Sequence, residues 1–171
     1  AAIGRKYGAE VPFLRPPELA QDTTPTVPVL AHLVDWLKEH EAYSVDYLIL
    51  LEPTGPARPV SHIQKLVELV KTTGADAAFT VIEVPAVYNA YWQVRLDLEN
   101  RATIMTGEPC GKFIRRGQDL PKLYCRRGST YIMKGELLLR EEPTLYGEDC
   151  SAIVVDPKLN IDIDNEEEWR E

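Results

Sequence analysis

The chain has 171 residues, 44% of them hydrophobic and 27% charged, with a formal net charge of −8. That length makes one domain with a sizeable core. The acidic balance argues against a nucleic-acid backbone or an anionic membrane as partner, and no apolar run approaches the roughly 20 residues that span a bilayer.

The charge leaves a nucleotide open as substrate, because one local cationic cleft with a divalent metal suffices. No signal-peptide pattern opens the sequence. Cys110, Cys125 and Cys150 are odd in number, widely spaced and lack metal-like pairing. They predict free thiols in a reducing, cytoplasmic setting. His32, His40 and His62 show no ligand spacing, which suits structural or surface roles.

Residues 1–7 read as the last turns of a helix closed by Gly8 in a left-handed conformation. Residues 10–16, Glu-Val-Pro-Phe-Leu-Arg-Pro, are extended and punctuated by prolines. Arg15 carries a rigid, always charged fork that suits a base carbonyl or a phosphate; a surface arginine before proline is the plainer alternative. A helix is predicted over 27–40, with Leu30, Leu33, Val34 and Leu37 on its buried face and Thr26 as its N-cap. Residues 47–51 form a short apolar run, predicted to be a strand buried on both faces. A loop with Pro53, Gly55, Pro56 and Pro59 follows, and a helix starts near Pro59 or Val60. Ile63, Leu66, Val67 and Val70 give that helix its core stripe, and Gly74 ends it. In open α/β sheets, ligands sit outside the carboxyl ends of strands, at such a strand–loop–helix junction. Glu52, Thr54 and Arg58 are the polar groups offered there, unless this is an ordinary connection. Residues 77–84 read as a second buried strand. That makes 46–84 a βαβ unit with parallel strands and a right-handed crossover.

Residues 88–101 alternate polar and apolar side chains around Glu99-Asn100, the pattern of a half-exposed hairpin. Residues 106–128 are loop-rich and basic, with Lys112, Arg115, Arg116, Lys122, Arg126 and Arg127. They line an anion site or form a solvated surface paired with acidic neighbours. A hairpin alone is marginal in water. Tyr88, Tyr91, Trp92, Phe113 and Tyr124 beside arginines suit an interface core, so a two-fold homodimer burying 88–128 is expected. A short helix over 136–141 and a strand over 151–156 come next. Asp162 and Asp164 then lie two apart on an extended segment, with both carboxylates on one side. Like charges that close need a cation or donors between them. Mg²⁺, which takes one or two carboxylates with phosphate oxygens and water, fits; helix capping by Asp164 or Asn165 is the alternative.

Several of these stretches, in this order, resemble the acylneuraminate cytidylyltransferase family, the CMP-sialic acid synthetases and their relatives. Gly-Ala-Glu-Val-Pro-Phe-Leu-Arg-Pro (8–16) is a close match. Leu-Leu-Glu-Pro-Thr-Gly-Pro-Ala-Arg (50–58) looks like the family's Leu-Leu-Gln-Pro-Thr-Ser-Pro-Leu-Arg, departing at Glu52, Gly55 and Ala57. Gln-Asp-Leu-Pro-Lys-Leu-Tyr (118–124) and then 128–133 look like Arg-Gln-Asp-Leu-Pro…Tyr…Asn-Gly-Ala-Ile-Tyr-Ile. There Gly117 replaces the arginine and Arg127 the asparagine. Asp162-Ile163-Asp164 stands where the family has a metal-serving Asp-Ile-Asp.

The resemblance implies an α/β fold: one domain over 1–171, with a three-layer, mostly parallel Rossmann-like sheet of the nucleotide-diphospho-sugar transferase type. Residues 88–128 would be its β-hairpin dimerisation and sugar-site insertion. The implied reaction moves CMP from CTP to an acidic, nonulosonic or sialic-type sugar and releases pyrophosphate. Arg15 and Thr26 would bind the nucleotide, and Asp162 and Asp164 would hold Mg²⁺ as the catalytic pair. Glu52, Arg58, Arg115, Arg116, Gln118 and Arg127 would face the sugar. The family's leading strand and its glycine- and lysine-rich triphosphate loop have no counterpart in the sequence. That implies an N-terminally truncated copy with poor turnover, or a non-catalytic remnant serving as a nucleotide-binding or assembly module.

Overall fold

The apolar stripes and breakers fall where helices form in a computed structural model, which describes residues 1–126, 130–159 and 162–170. Helix α1 (Ala2–Lys6) runs out at Gly8, whose φ of 85° only glycine adopts without strain. Helix α2 (Thr26–Glu41) begins at Thr26 itself, with Pro25 in the capping position and no side-chain cap bond. Thr26 is therefore the first helical residue and not the expected N-cap. The extended backbone of Pro25 (φ −63°, ψ 154°) sets the start instead. Phe13 packs against His32 and Trp36 at ring separations of 5.1 and 4.9 Å, which lays the segment carrying Arg15 along α2. Helix α3 (Val60–Thr73) follows Pro59 and ends on Gly74 at φ 75°.

The sheet is built from β1 (Tyr47–Leu51), β2 (Ala77–Glu83), β5 (Tyr124–Cys125), β6 (Thr130–Lys134) and β7 (Cys150–Val154). Strand β6 lies between β1 and β2 and is antiparallel to both, with Leu48 and Ala77 each opposite Met133. Strand β7 pairs in parallel with β2 on its other side, Ala77 opposite Cys150. Strands β1, β2 and β7 therefore point the same way, as a βαβ reading requires, but only β2 and β7 are parallel neighbours. The sheet is mixed rather than mostly parallel. Strand β6 lies between the two strands of that βαβ unit. Strand β5 pairs antiparallel with Ile82 and Glu83, farther along β2.

Side chains alternate across this sheet and split the core in two. On one face Leu48, Ala77, Tyr131 and Met133 pack with Leu30 and Val34 of α2 and with Leu137 and Leu138 of the 3₁₀ turn Gly135–Leu138. On the other, Ala78 and Ile132 pack with Leu66 and Val70 of α3. Helix, sheet and helix make the three layers. Strand β1 is not buried on both faces. It is at the rim of the described sheet, and Ile49 and Leu51 are exposed.

The expected hairpin forms as β3 (Val94–Leu96) paired with β4 (Ala102–Ile104). Its turn is fixed by Asp97, whose Oδ1 accepts from the N–H groups of Glu99 and Arg101, and by Asn100 at φ 59°. The short helix predicted over 136–141 is the 3₁₀ turn at 135–138. Helix α4 (Glu166–Arg170) closes the described chain.

Candidate active site

The site gathers at the carboxyl end of β1. Glu52 leaves the strand half-buried, and the loop after it doubles back. Gly55 donates to the Glu52 carbonyl at 3.2 Å, and Arg58 Nη2 donates to the same oxygen at 2.6 Å. The prolines on either side leave few other backbone donors to close this loop.

The loop is joined to the end of the chain. The Ile163 N–H donates to the Thr54 carbonyl at 2.9 Å. That single bond brings Asp162 and Asp164 to Glu52, across more than half the sequence. Burial first, and then the negative charges of Asp162 and Asp164, hold the Glu52 carboxyl above its ordinary range; Arg126 and Arg58 pull the other way. Asp162 Oδ1 is buried and meets no hydrogen-bond donor. Asp164 does not cap α4. Asn165 does, accepting from Glu167 and Glu168 N–H at 3.0 Å, while Glu168 reaches back to the Asp164 N–H at 2.8 Å. Asn165 is thus the N-cap, and Glu168 reaches the residue before it, a near relative of the capping box. That leaves the Asp164 carboxylate without a capping role.

The flank opposite these carboxylates carries Arg126, directly after β5. Its guanidinium lies over the rings of Tyr131 and Tyr146, at 5.9 and 5.7 Å to their centroids, and donates to the Tyr146 hydroxyl. Burial, and next the Glu52 charge, push the Tyr131 phenol up to about 12. The sequence marked Arg126 only as part of a basic run, and it offered no signal for Tyr146, which sits in an irregular loop.

The remaining expected site residues are elsewhere. Arg15 and Thr26 are exposed, on the segment beside α2 and at the start of that helix. Arg115, Arg116 and Gln118 are exposed in the insertion beyond the hairpin, where Arg116 faces Asp119 at 3.7 Å. Among the described residues no hydrogen bond or ion pair joins them to Glu52, Asp162 or Asp164. Arg127 lies outside the described residues. A cavity of about 930 Å³ lies at the other end of β1, lined by Tyr47, Lys71, Lys134 and Glu136 among others, and holds none of the expected residues.

No protein-family model matches the chain. Individual relatives do. The chain is 32% identical to a CMP-N,N′-diacetyllegionaminic acid synthase of Campylobacter jejuni over 170 residues, covering 99% of this chain and 69% of that protein. The chain belongs to the acylneuraminate cytidylyltransferase family. It is also 29% identical to the post-translational flagellin modification protein B of Campylobacter coli, over 99% of this chain and 69% of that protein. The fold is like that of a CMP:2-keto-3-deoxy-manno-octonic acid synthetase solved with CTP, at a TM-score of 0.53 and 11% identity over 88% of this chain and 66% of the other. The Ile163–Thr54 bond joins the proline-rich loop at 50–58 to the Asp-Ile-Asp segment, far apart in sequence. Among the described residues no helix is long and apolar enough to cross a membrane.

Proposed function

We propose that this chain carries the site of a cytidylyltransferase that moves CMP from CTP onto an acidic sugar of the nonulosonic type and releases pyrophosphate. The observation that carries the reading is the Ile163–Thr54 bond, which closes Asp162 and Asp164 onto the Glu52 loop. In this reaction a sugar hydroxyl attacks the α-phosphorus in line as pyrophosphate leaves, so catalysis is mainly positioning and charge stabilisation. Arg58 holds the loop that shapes the sugar side. Glu52 accepts hydrogen bonds from sugar hydroxyls. Arg15, Thr26, Arg115, Arg116, Gln118 and Arg127 remain proposed contacts, the first two for the nucleotide and the rest for the sugar.

The cofactor in this reading is Mg²⁺. An orphaned, buried Asp162 oxygen beside Asp164 offers the hard oxygen donors such a cation takes. Among the described residues no three His, Cys, Asp or Glu side chains gather to enclose a metal. Two carboxylates with phosphate oxygens and water therefore make the fitting set. Bound there, the ion would neutralise phosphate charge. A homodimer through the hairpin insertion and a reducing, cytoplasmic setting complete the reading. The exposed Tyr88, Leu96 and Leu98 support the dimer, and the unpaired Cys110, Cys125 and Cys150 support the setting.

The test is pyrophosphate release from CTP with N,N′-diacetyllegionaminic acid and Mg²⁺, run beside direct binding of CTP. Release that depends on the acidic sugar is expected. Neither release nor CTP binding would overturn the reading and leave an assembly module as the better account.

A further inference from the structure

The cleft is crowded with acceptors. Ionised Glu52, Asp162 and Asp164 can only accept hydrogen bonds, so none of them can receive a ligand's carboxylate. Arg58 is half-buried and engaged with the Glu52 carbonyl, where it shapes the loop. Arg126 differs from Arg58 in two ways. It is exposed on the flank of the cleft, and its guanidinium is already oriented by the faces of Tyr131 and Tyr146 and by the Tyr146 hydroxyl. A guanidinium stacked on aromatic faces keeps in-plane donors that match a carboxylate in a two-pronged way. Holding it in advance cuts the ordering cost of binding.

We infer that Arg126 is a specificity-determining residue, whose guanidinium receives the carboxylate of the acidic sugar while the three carboxylates of the cleft repel any other placement of that charge. This rests on the CMP-transfer reading above. It deepens that reading by assigning the sugar's acid group to one side chain, with Tyr146 as a positioning residue behind it. The carboxylate of the sugar and the phosphate of the nucleotide are both anions, so the experiment separates them.

Binding of CMP and of CMP-N,N′-diacetyllegionaminic acid is measured by calorimetry for the parent, Arg126→Ala, Arg126→Lys and Tyr146→Phe. Arg126→Ala is expected to weaken the CMP-sugar about 10- to 100-fold, the size of a charged hydrogen-bond loss, with CMP unchanged. Arg126→Lys should recover part of the loss, because a point charge keeps the attraction and loses the fork. Tyr146→Phe keeps the ring and should cost only a few-fold, again for the CMP-sugar alone. Equal CMP-sugar affinity in parent and Arg126→Ala would overturn the inference and leave the CMP-transfer reading standing. So would an equal loss for CMP and CMP-sugar, which would assign Arg126 to the phosphate. A parent that binds neither ligand would overturn both.

Discussion

At residue scale the account turns on a few contacts. Glu52 has a carboxyl held above its ordinary 4.5, by burial first and then by Asp162 and Asp164. A carboxyl raised in the folded state ionises earlier in the unfolded chain, so stability falls as pH climbs from 4.5 through the folded value. Glu52→Gln removes that loss. Its melting temperature at pH 7 should exceed the parent's by about 1–3 °C, and the gain should vanish below about pH 4, where both states are protonated. Calorimetric melts at several pH values check this. Asp162→Asn should fold as the parent does, yet lose the Mg²⁺ dependence of nucleotide binding. Unchanged Mg²⁺ dependence would remove Asp162 from the metal assignment. Gly135 makes a different kind of contact. A Cβ there would stand 2.0 Å from the Val45 carbonyl oxygen, which is main chain and cannot swing aside. Gly135→Ala should therefore cost at least about 2 kcal/mol, read as a fall of roughly 4–8 °C in melting temperature.

At the scale of elements, local signals were legible and neighbour relations were not. The stripe Ile63, Leu66, Val67, Val70 with Gly74 behind it specifies α3, because helix period and a left-handed cap are written in adjacent residues. The turn at Glu99-Asn100 was legible for the same reason. Strand β6 was not, although Thr130-Tyr131-Ile132-Met133 is a short β-branched and aromatic run. A strand's direction follows from its crossover, but which strand lies beside it depends on a segment some fifty residues later. So β1 came out at the rim, with Ile49 and Leu51 exposed, and β6 in the middle. The site divides likewise. Glu52, Arg58, Asp162 and Asp164 sit in motifs, so the sequence offers them as candidates, and the structure brings Asp162 and Asp164 to act on Glu52. Arg126 lies in a basic run with nothing to single it out, because its place beside Tyr131 and Tyr146 depends on where β5 ends. Asp76 ties these elements at their other end. It accepts from Lys134 Nζ at 2.9 Å and from Glu148 and Asp149 N–H, which hold its carboxyl below the ordinary range. A carboxyl lowered by folding stabilises above its unfolded value, and the benefit is lost as pH falls through the folded one. Asp76→Asn should therefore melt below the parent at pH 7 and approach it in acid. A difference independent of pH would refute the ionic role of this tie.

At the scale of the molecule, three layers hold together a loop after β1 and a segment near the last helix, which meet through the Ile163–Thr54 bond. Of the insertion's residues, Arg126 acts on Glu52 within one copy. Arg115, Arg116 and Gln118 are exposed, as are Tyr88, Leu96, Leu98 and Tyr124. A second copy would cover these side chains, and light scattering at micromolar concentration should return the mass of a dimer. A monomer would leave the insertion without its proposed role. The central claim is that this chain carries a site for a cytidine nucleotide whose metal is held by Asp162 and Asp164, next to Glu52. The most direct measurement is equilibrium binding of CTP and of UTP, each with and without Mg²⁺. Binding of CTP that is tighter than UTP and strengthened by Mg²⁺ is the predicted result. Equal affinity for the two nucleotides, or binding of CTP that Mg²⁺ leaves unchanged, would contradict the account.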